Sequence, residues 1–268
     1  MVTFPPCKIN LGLQVIKKRP DGYHDLVTCF YPVPWTDILE VIPGDHFSFT
    51  SSGNAIPGPT ESNLCIKAYE LLKQDFNLSA VKIHLHKIIP TGAGLGGGSA
   101  NGAYTLRMLN ELFELNLSIQ ALMEYAAVLG SDCAFFVRND AMMGSGRGEI
   151  LTKSPSVLGG RYLVIVKPDI HVSTADAFAG IQPQHPSHAL QELLLEPMTQ
   201  WKLFLKNDFE ESVFRKHPAI QVIKEKLYAA GALYASMSGT GASVFGIFDA
   251  DPDISQLFPQ TTVWAGFV

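Results

Sequence analysis

Pro90-Thr91-Gly92-Ala93-Gly94-Leu95-Gly96-Gly97-Gly98-Ser99-Ala100 is the stretch on which the reading of this chain turns. Before it, Val81, Ile83 and Leu85 alternate with Lys82, His84 and His86, the period of two of a half-buried strand. After it, Ala103, Leu106, Leu109 and Phe113 fall on one stripe, which predicts a helix from about Ser99 to Leu115. The glycines therefore join a strand to the start of a helix. A helix start offers unpaired N–H groups and the positive end of the helix dipole, both favourable to phosphate. Glycine lets the backbone take positive φ and approach a ligand closely, and Ser99 adds a hydroxyl for a phosphate or a metal ion. Five glycines among residues 92–98 cost chain entropy that a plain connection has no reason to bear.

Three familiar loops compete for this stretch. Gly92, Gly94 and Gly97 fit G-x-G-x-x-G, yet the dinucleotide fingerprint wants an acidic residue ending the next strand, and here a helix follows. The Walker pattern needs Lys before its Ser or Thr, where Gly98 stands. Protein kinases follow their loop with a strand carrying V-A-I-K, which is absent.

Outward from the loop, Ile9, Leu11, Leu13 and Val15 alternate with Lys8, Asn10, Gly12 and Gln14, so Lys8 and Asn10 share one face of a strand. Arg19-Pro20-Asp21-Gly22 turns that strand into a hairpin whose return runs from Tyr23 to about Val33. Helices are predicted from Asn63 to Phe76, from the N-cap Ser118 to Leu129, and over 189–206 and 219–230. Leu163-Val164-Ile165-Val166 reads as a buried strand, and Ser238-Gly239-Thr240-Gly241 leads into another at 243–248. Gly144-Ser145-Gly146-Arg147-Gly148 interrupts the pattern, and residues 181–188 form a Pro- and Gln-rich loop.

The 268 residues suit two domains, with 47% hydrophobic and 17% charged residues for a packed core. A net charge of -5 with no run of like charges speaks against a nucleic-acid partner, while leaving room for a phosphorylated ligand. No stretch is apolar enough for a membrane span, and the N-terminus lacks signal-peptide order. The scattered Cys7, Cys29, Cys65 and Cys133 have neither zinc nor disulfide-framework spacing, which points to a reduced cytoplasmic protein. His84 and His86 share a strand face without a third ligand, so no metal site is assigned to them.

Pro6-Cys7-Lys8-Ile9-Asn10-Leu11, Gly94-Leu95-Gly96-Gly97-Gly98-Ser99-Ala100 and Ser238-Gly239-Thr240-Gly241-Ala242 together resemble the three motifs of the GHMP kinases, in the same order and across nearly the whole chain. The resemblance implies an α+β fold of two domains. Residues 1–150 would form a ribosomal-protein S5 domain 2-like ATP-binding domain, and residues 151–268 a ferredoxin-like C-terminal domain. It also implies phosphoryl transfer from ATP, with Mg²⁺ arriving on the nucleotide. Three further stretches are similar to the branch that acts on a cytidine diphosphate-linked methylerythritol, at the hydroxyl of carbon 2: Arg19-Pro20-Asp21-Gly22-Tyr23-His24-Asp25-Leu26, Leu129-Gly130-Ser131-Asp132-Cys133-Ala134-Phe135-Phe136, and Gly146-Arg147-Gly148-Glu149. Homoserine and phosphomevalonate kinases, and a nucleotide-binding module without catalysis, are the rivals.

On that resemblance Asp132 is the general base and Lys8 the cation that polarises the acceptor oxygen. Capping a short helix after Gly130-Ser131 is the plainer use of Asp132. Tyr23 and His24 would hold the cytosine, with Thr174 and Phe178 opposite. Asn10, Gly239 and Thr240 would contact substrate. Asn63 lies where the family approaches adenine, and is also a good N-cap.

Overall fold

The computed structural model describes residues 1–155, 157–254 and 256–268. In chain order its strands and helices are β1 (Val2–Thr3), β2 (Pro6–Lys18), β3 (His24–Thr36), β4 (Ile38–Pro43), β5 (Ser48–Gly53), α1 (Leu64–Asp75), β6 (Val81–Lys87), α2 (Gly97–Leu112), α3 (Ile119–Leu129), α4 (Cys133–Arg138), β7 (Met142–Ser145), β8 (Ile150–Lys153) and β9 (Tyr162–Lys167). The remainder holds α5 (Thr174–Ala179), α6 (Leu190–Leu193), α7 (Trp201–Phe204), α8 (Phe209–Lys216), α9 (Pro218–Ala229), β10 (Tyr234–Met237), β11 (Val244–Phe248) and β12 (Thr262–Phe267). The chain forms two compact units. Unit 1 comprises residues 1–8, 32–91 and 96–140, and unit 2 comprises residues 9–31, 92–95 and 141–268.

In unit 1 the sheet runs β1-β4-β6-β5, with β5 parallel to β6 at one edge and the other pairs antiparallel. Val81, Ile83 and Leu85 point inward as their alternation requires. Helix α1 packs on α2, and α2 on α3 and α4. The caps act as expected: Asn63 Oδ1 accepts from Cys65 N at 2.9 Å, and Ser118 Oγ from Ala121 N at 3.2 Å. On β5 and β6, His84 and His86 are tied to hydroxyls, with Thr50 Oγ1 2.8 Å from His84 Nδ1 and Ser52 Oγ 3.0 Å from His84 Nε2 and 2.9 Å from His86 Nδ1.

Unit 2 has a sheet in the order β10-β11-β9-β12, every pair antiparallel. Counted in chain order from β9, that is 4-1-3-2 read from β12, the order of a ferredoxin-like sheet. Helices α5 to α9 fill the first crossover, from β9 to β10. The second crossover, 249–261, holds no helix among its described residues. Val164, Val166, Val213, Ile220, Leu227 and Val244 belong to the core beneath this sheet. The unit 2 parts of β2 and β3 belong to a separate sheet in the order β2-β3-β7-β8.

Three readings change. β2 is buried on both faces over residues 6–13, whereas alternation suggested one wet face. The helix expected over 189–206 is broken into α6, a 3₁₀ turn at Met198–Gln200 and α7, because Pro197 has no N–H and forces Glu196 out of helical conformation. Helix α8 was not foreseen; its Phe209 and Val213 make one short apolar stripe, too brief to stand out.

Candidate active site

Unit 1 brings together one residue from each of three distant segments. Lys8, on β2, is nearly buried, and its Nζ lies 3.4 Å from Oδ2 of Asp132. Asp132 precedes α4 but makes no capping hydrogen bond, so its carboxylate, 31% exposed, is not used by the helix it introduces. Gly96 caps α2 in the left-handed region, φ 69°, and a Cβ there would fall 3.0 Å from Phe136 and 3.2 Å from Lys8 Cε. Only glycine suits both demands.

The loop has a packed side and an open side. A Cβ on Gly97 would lie 2.9 Å from Lys87 Nζ and 3.0 Å from Ile89. One on Gly98 would meet nothing within 4 Å. The N–H groups of Gly97, Gly98 and Ser99 have no partner among the described residues. An open helix start with unpaired donors is a cradle for phosphate.

Behind this cradle lies a cluster that sequence reasoning missed. Lys87 Nζ pairs with Asp37 Oδ2, which also accepts from Asn101 Nδ2 at 2.9 Å. Asp37 Oδ1 accepts from Ile88 N at 2.7 Å and Ile89 N at 2.8 Å. All three side chains are buried. Burial pushes the Lys87 ammonium below its ordinary value while Asp37 opposes the shift. Lys87 and Asn101 flank the glycine loop, which was a signal; Asp37, fifty positions from Lys87, carried none.

Unit 2 holds the substrate-binding candidates, and there residues of the three motifs meet. Buried Asn10 donates through Nδ2 to Thr28 Oγ1 at 2.9 Å, and Thr28 donates to Gly12 O at 2.6 Å. Ser238 Oγ donates to Gly94 O at 2.9 Å and lies 3.4 Å from Asn10 Oδ1. Ala93 O accepts from Ser243 N at 3.2 Å. A Cβ on Gly94 would be 2.1 Å from Ser238 O, so loop and third motif touch backbone to backbone.

The hairpin turn carries Tyr23 and His24. Tyr23 is 57% exposed, with the Arg147 guanidinium 5.0 Å over its ring. His24 stacks on Phe178 at 4.9 Å and 26°, and Phe178 sets its edge on Phe209 at 4.7 Å and 78°. Phe178 is thus both a core residue and one wall of an aromatic pair. Burial and the nearby Lys18 hold His24 below its ordinary pKa of 6.5, which favours neutral imidazole. Thr174 is exposed at the first position of α5. Arg147 is a further residue whose contact went unforeseen; its motif was visible, but not its reach to Tyr23.

Asn63 is engaged as the α1 cap. All four cysteines are free and buried, and burial raises Cys65 and Cys133 to about 12, so they stay thiols. No group of three or more His, Cys, Asp or Glu side chains is placed to hold a metal ion among the described residues. No helix among them is long and apolar enough to cross a membrane.

An open glycine-rich helix start and a Lys–Asp pair, on this fold, define a small-molecule kinase of the GHMP type. The pattern of the GHMP kinases N terminal domain matches residues 63–140, and that of the GHMP kinases C terminal domain residues 188–258. A protein of Cytophaga hutchinsonii named 4-diphosphocytidyl-2-C-methyl-D-erythritol kinase is 50% identical over 254 residues, 94% of each chain. One of Bacteroides thetaiotaomicron with the same name is 51% identical over 268 residues, 98% of each. A crystal structure of 4-(cytidine 5'-diphospho)-2C-methyl-D-erythritol kinase superposes with TM-score 0.81 at 30% identity, covering 99% of this chain and 98% of that one. A homoserine kinase of Cytophaga hutchinsonii, TM-score 0.68 at 18% identity, shares the fold. The chain belongs to the 4-diphosphocytidyl-2-C-methyl-D-erythritol kinases of the GHMP kinase superfamily, and as a kinase it uses ATP.

Proposed function

We infer that this kinase transfers the γ-phosphoryl group of ATP to the 2-hydroxyl of 4-diphosphocytidyl-2-C-methyl-D-erythritol, in isoprenoid precursor synthesis. The observation that carries the chemistry is the uncapped Asp132 carboxylate 3.4 Å from the Lys8 ammonium. Asp132 takes the hydroxyl proton as that oxygen bonds to the γ-phosphorus and the bond to ADP breaks. Lys8 supplies positive charge where the acceptor oxygen becomes anionic. Residues 90–100, from Pro90 to Ala100, hold the triphosphate, with the open side of Gly98 and the unpaired N–H groups of α2 facing it. Asn63 approaches adenine while its Oδ1 caps α1.

Mg²⁺ suits this donor set as an ion brought by the triphosphate, ligated chiefly by phosphate oxygens and water, with the Ser99 hydroxyl as a protein oxygen. On the substrate side, Tyr23, His24, Thr174 and Phe178 read the cytosine, and Asn10, Gly239 and Thr240 contact the remainder. We also place the division between ATP-binding and C-terminal parts near residue 150. A reducing cytoplasm suits the four buried thiols.

The test offers the purified protein ATP with the cytidylyl compound, homoserine and phosphomevalonate in parallel, and reads ADP release. Release with the cytidylyl compound alone is expected. Release with either of the others and none with the cytidylyl compound overturns the substrate while keeping the kinase.

A further inference from the structure

Lys206-Asn207-Asp208, between α7 and α8, belongs to none of the three motifs, yet it is fastened to the strand that carries the first and to the loop of the third. Leu13 N donates to Lys206 O and Asp208 N donates to Leu13 O, both at 2.9 Å. Val15 N donates to Asp208 Oδ2 at 2.7 Å. These bonds fix the Asn207 backbone in parallel register against β2, the strand of the first motif.

The Asn207 side chain is 2% exposed and fully engaged. Oδ1 accepts from Phe209 N at 3.0 Å, which settles which end of the amide is oxygen. Nδ2 spends one hydrogen on Met237 O, just before the third motif, at 2.7 Å, and the other on Gly239 O within it, at 2.8 Å. In a trans peptide the C=O and the following N–H point in opposite directions. Holding Gly239 O therefore turns the Thr240 N–H away from Asn207. The other held peptide behaves differently, because the Ser238 N–H is consumed by Ser243 O at 2.9 Å. The Thr240 N–H has no partner among the described residues, and Thr240 is partly exposed. A hydrogen bond accepted at the carbonyl also strengthens the N–H of the same amide as a donor. An oriented, polarised and unpaired backbone N–H is an anion-binding group.

We propose that Asn207 is a positioning residue that aims the Thr240 N–H at the diphosphate of the substrate. The assignment rests on the reading of the third motif as substrate-binding. Asn207 touches no substrate itself.

Asn207→Asp is isosteric and sets a carboxylate against two carbonyl oxygens in place of two donors. KM for the cytidylyl substrate should rise about tenfold or more, the cost of one misdirected polar contact, while KM for ATP stays within about twofold. A variant that loses only melting temperature, or raises both KM values equally, makes Asn207 a structural residue and overturns the proposal. Should the variant fail to fold, ¹⁵N-labelled wild type decides. Its Thr240 amide proton should move downfield on titration with cytidine diphosphate, and an unmoved resonance overturns the proposal. Wild-type ADP release on the cytidylyl compound is scored separately, so failure of the substrate reading shows there and not in the Asn207 measurements.

Discussion

The Lys8 and Asp132 region of unit 1 and the Tyr23 and His24 region of unit 2 are built in opposite ways. The first is a frame. Lys8 is buried on a strand covered on both faces, Gly96 is packed against Phe136, and a buried cluster of Lys87, Asp37 and Asn101 stands behind the loop. The second is a turn and a six-residue helix, with Tyr23 mostly in solvent and its neighbours joined by ring contacts. Phosphoryl transfer requires charge fixed within tenths of an ångström before substrate arrives, and a frame supplies that. Reading a base requires flat, partly exposed rings, which a turn can present. Substitutions in the two regions should therefore separate turnover from substrate affinity.

The sharpest separation comes from Asp132→Asn. It keeps the shape and disturbs no cap, so the melting temperature and ATP affinity should hold while kcat falls roughly 10²- to 10⁴-fold. Near-normal turnover would break the comparison at its chemical end.

Asp37→Ala should act on the frame. It strips Lys87, Asn101 and two backbone N–H groups of their acceptor and leaves an ammonium buried alone, a loss of about 3–5 kcal/mol measured by urea unfolding. A loss well under 1 kcal/mol would mean that water already reaches the cluster.

The glycines sharpen the contrast within the loop. Gly97→Val should destabilise by about 1–3 kcal/mol, since its side chain meets Lys87 and Ile89. A Cβ at Gly98 has open space within 4 Å, so for Gly98→Val thermal unfolding should change little while calorimetry shows ATP binding lost. Retained ATP binding would place the phosphates elsewhere.

In the recognition region, Tyr23→Ala should raise KM for the cytidylyl substrate about tenfold at unchanged kcat, from roughly 1–3 kcal/mol of stacking. The smallest effect is that of pH. His24 is held below 6.5, so it stays neutral near pH 7 and takes a proton only as the pH falls through its lowered value. KM should rise over that acid window in wild type and stay flat in His24→Gln. The unfolded chain binds that proton at higher pH than the fold does, so stability drains in the same direction.

The frame was easier to foresee than its fastenings. The strand, loop and helix around Gly92 to Ala100 follow from short-range periodicity, and Lys8, Asn10 and Asp132 from motif resemblance. Asp37 and Asn207 were silent, and the contacts of Asn101 and Arg147 went unread, because their partners are brought to them by tertiary pairing. Periodicity also misjudged β2, since alternation cannot report that Lys8 and Asn10 will be covered. The 189–206 stretch failed for the opposite reason: apolar spacing favoured one helix, and Pro197 overruled it.

The bond from Val15 to Asp208 joins residues 193 apart in sequence. During synthesis at roughly 5–20 residues per second, β2 leaves the ribosome about 10–40 seconds before that partner exists. Through that interval Leu13 and Val15 lack the Lys206–Asp208 segment that pairs with them. A late segment covers an early strand, so a nascent fragment stalled short of residue 206 should depend on a holding chaperone to stay soluble.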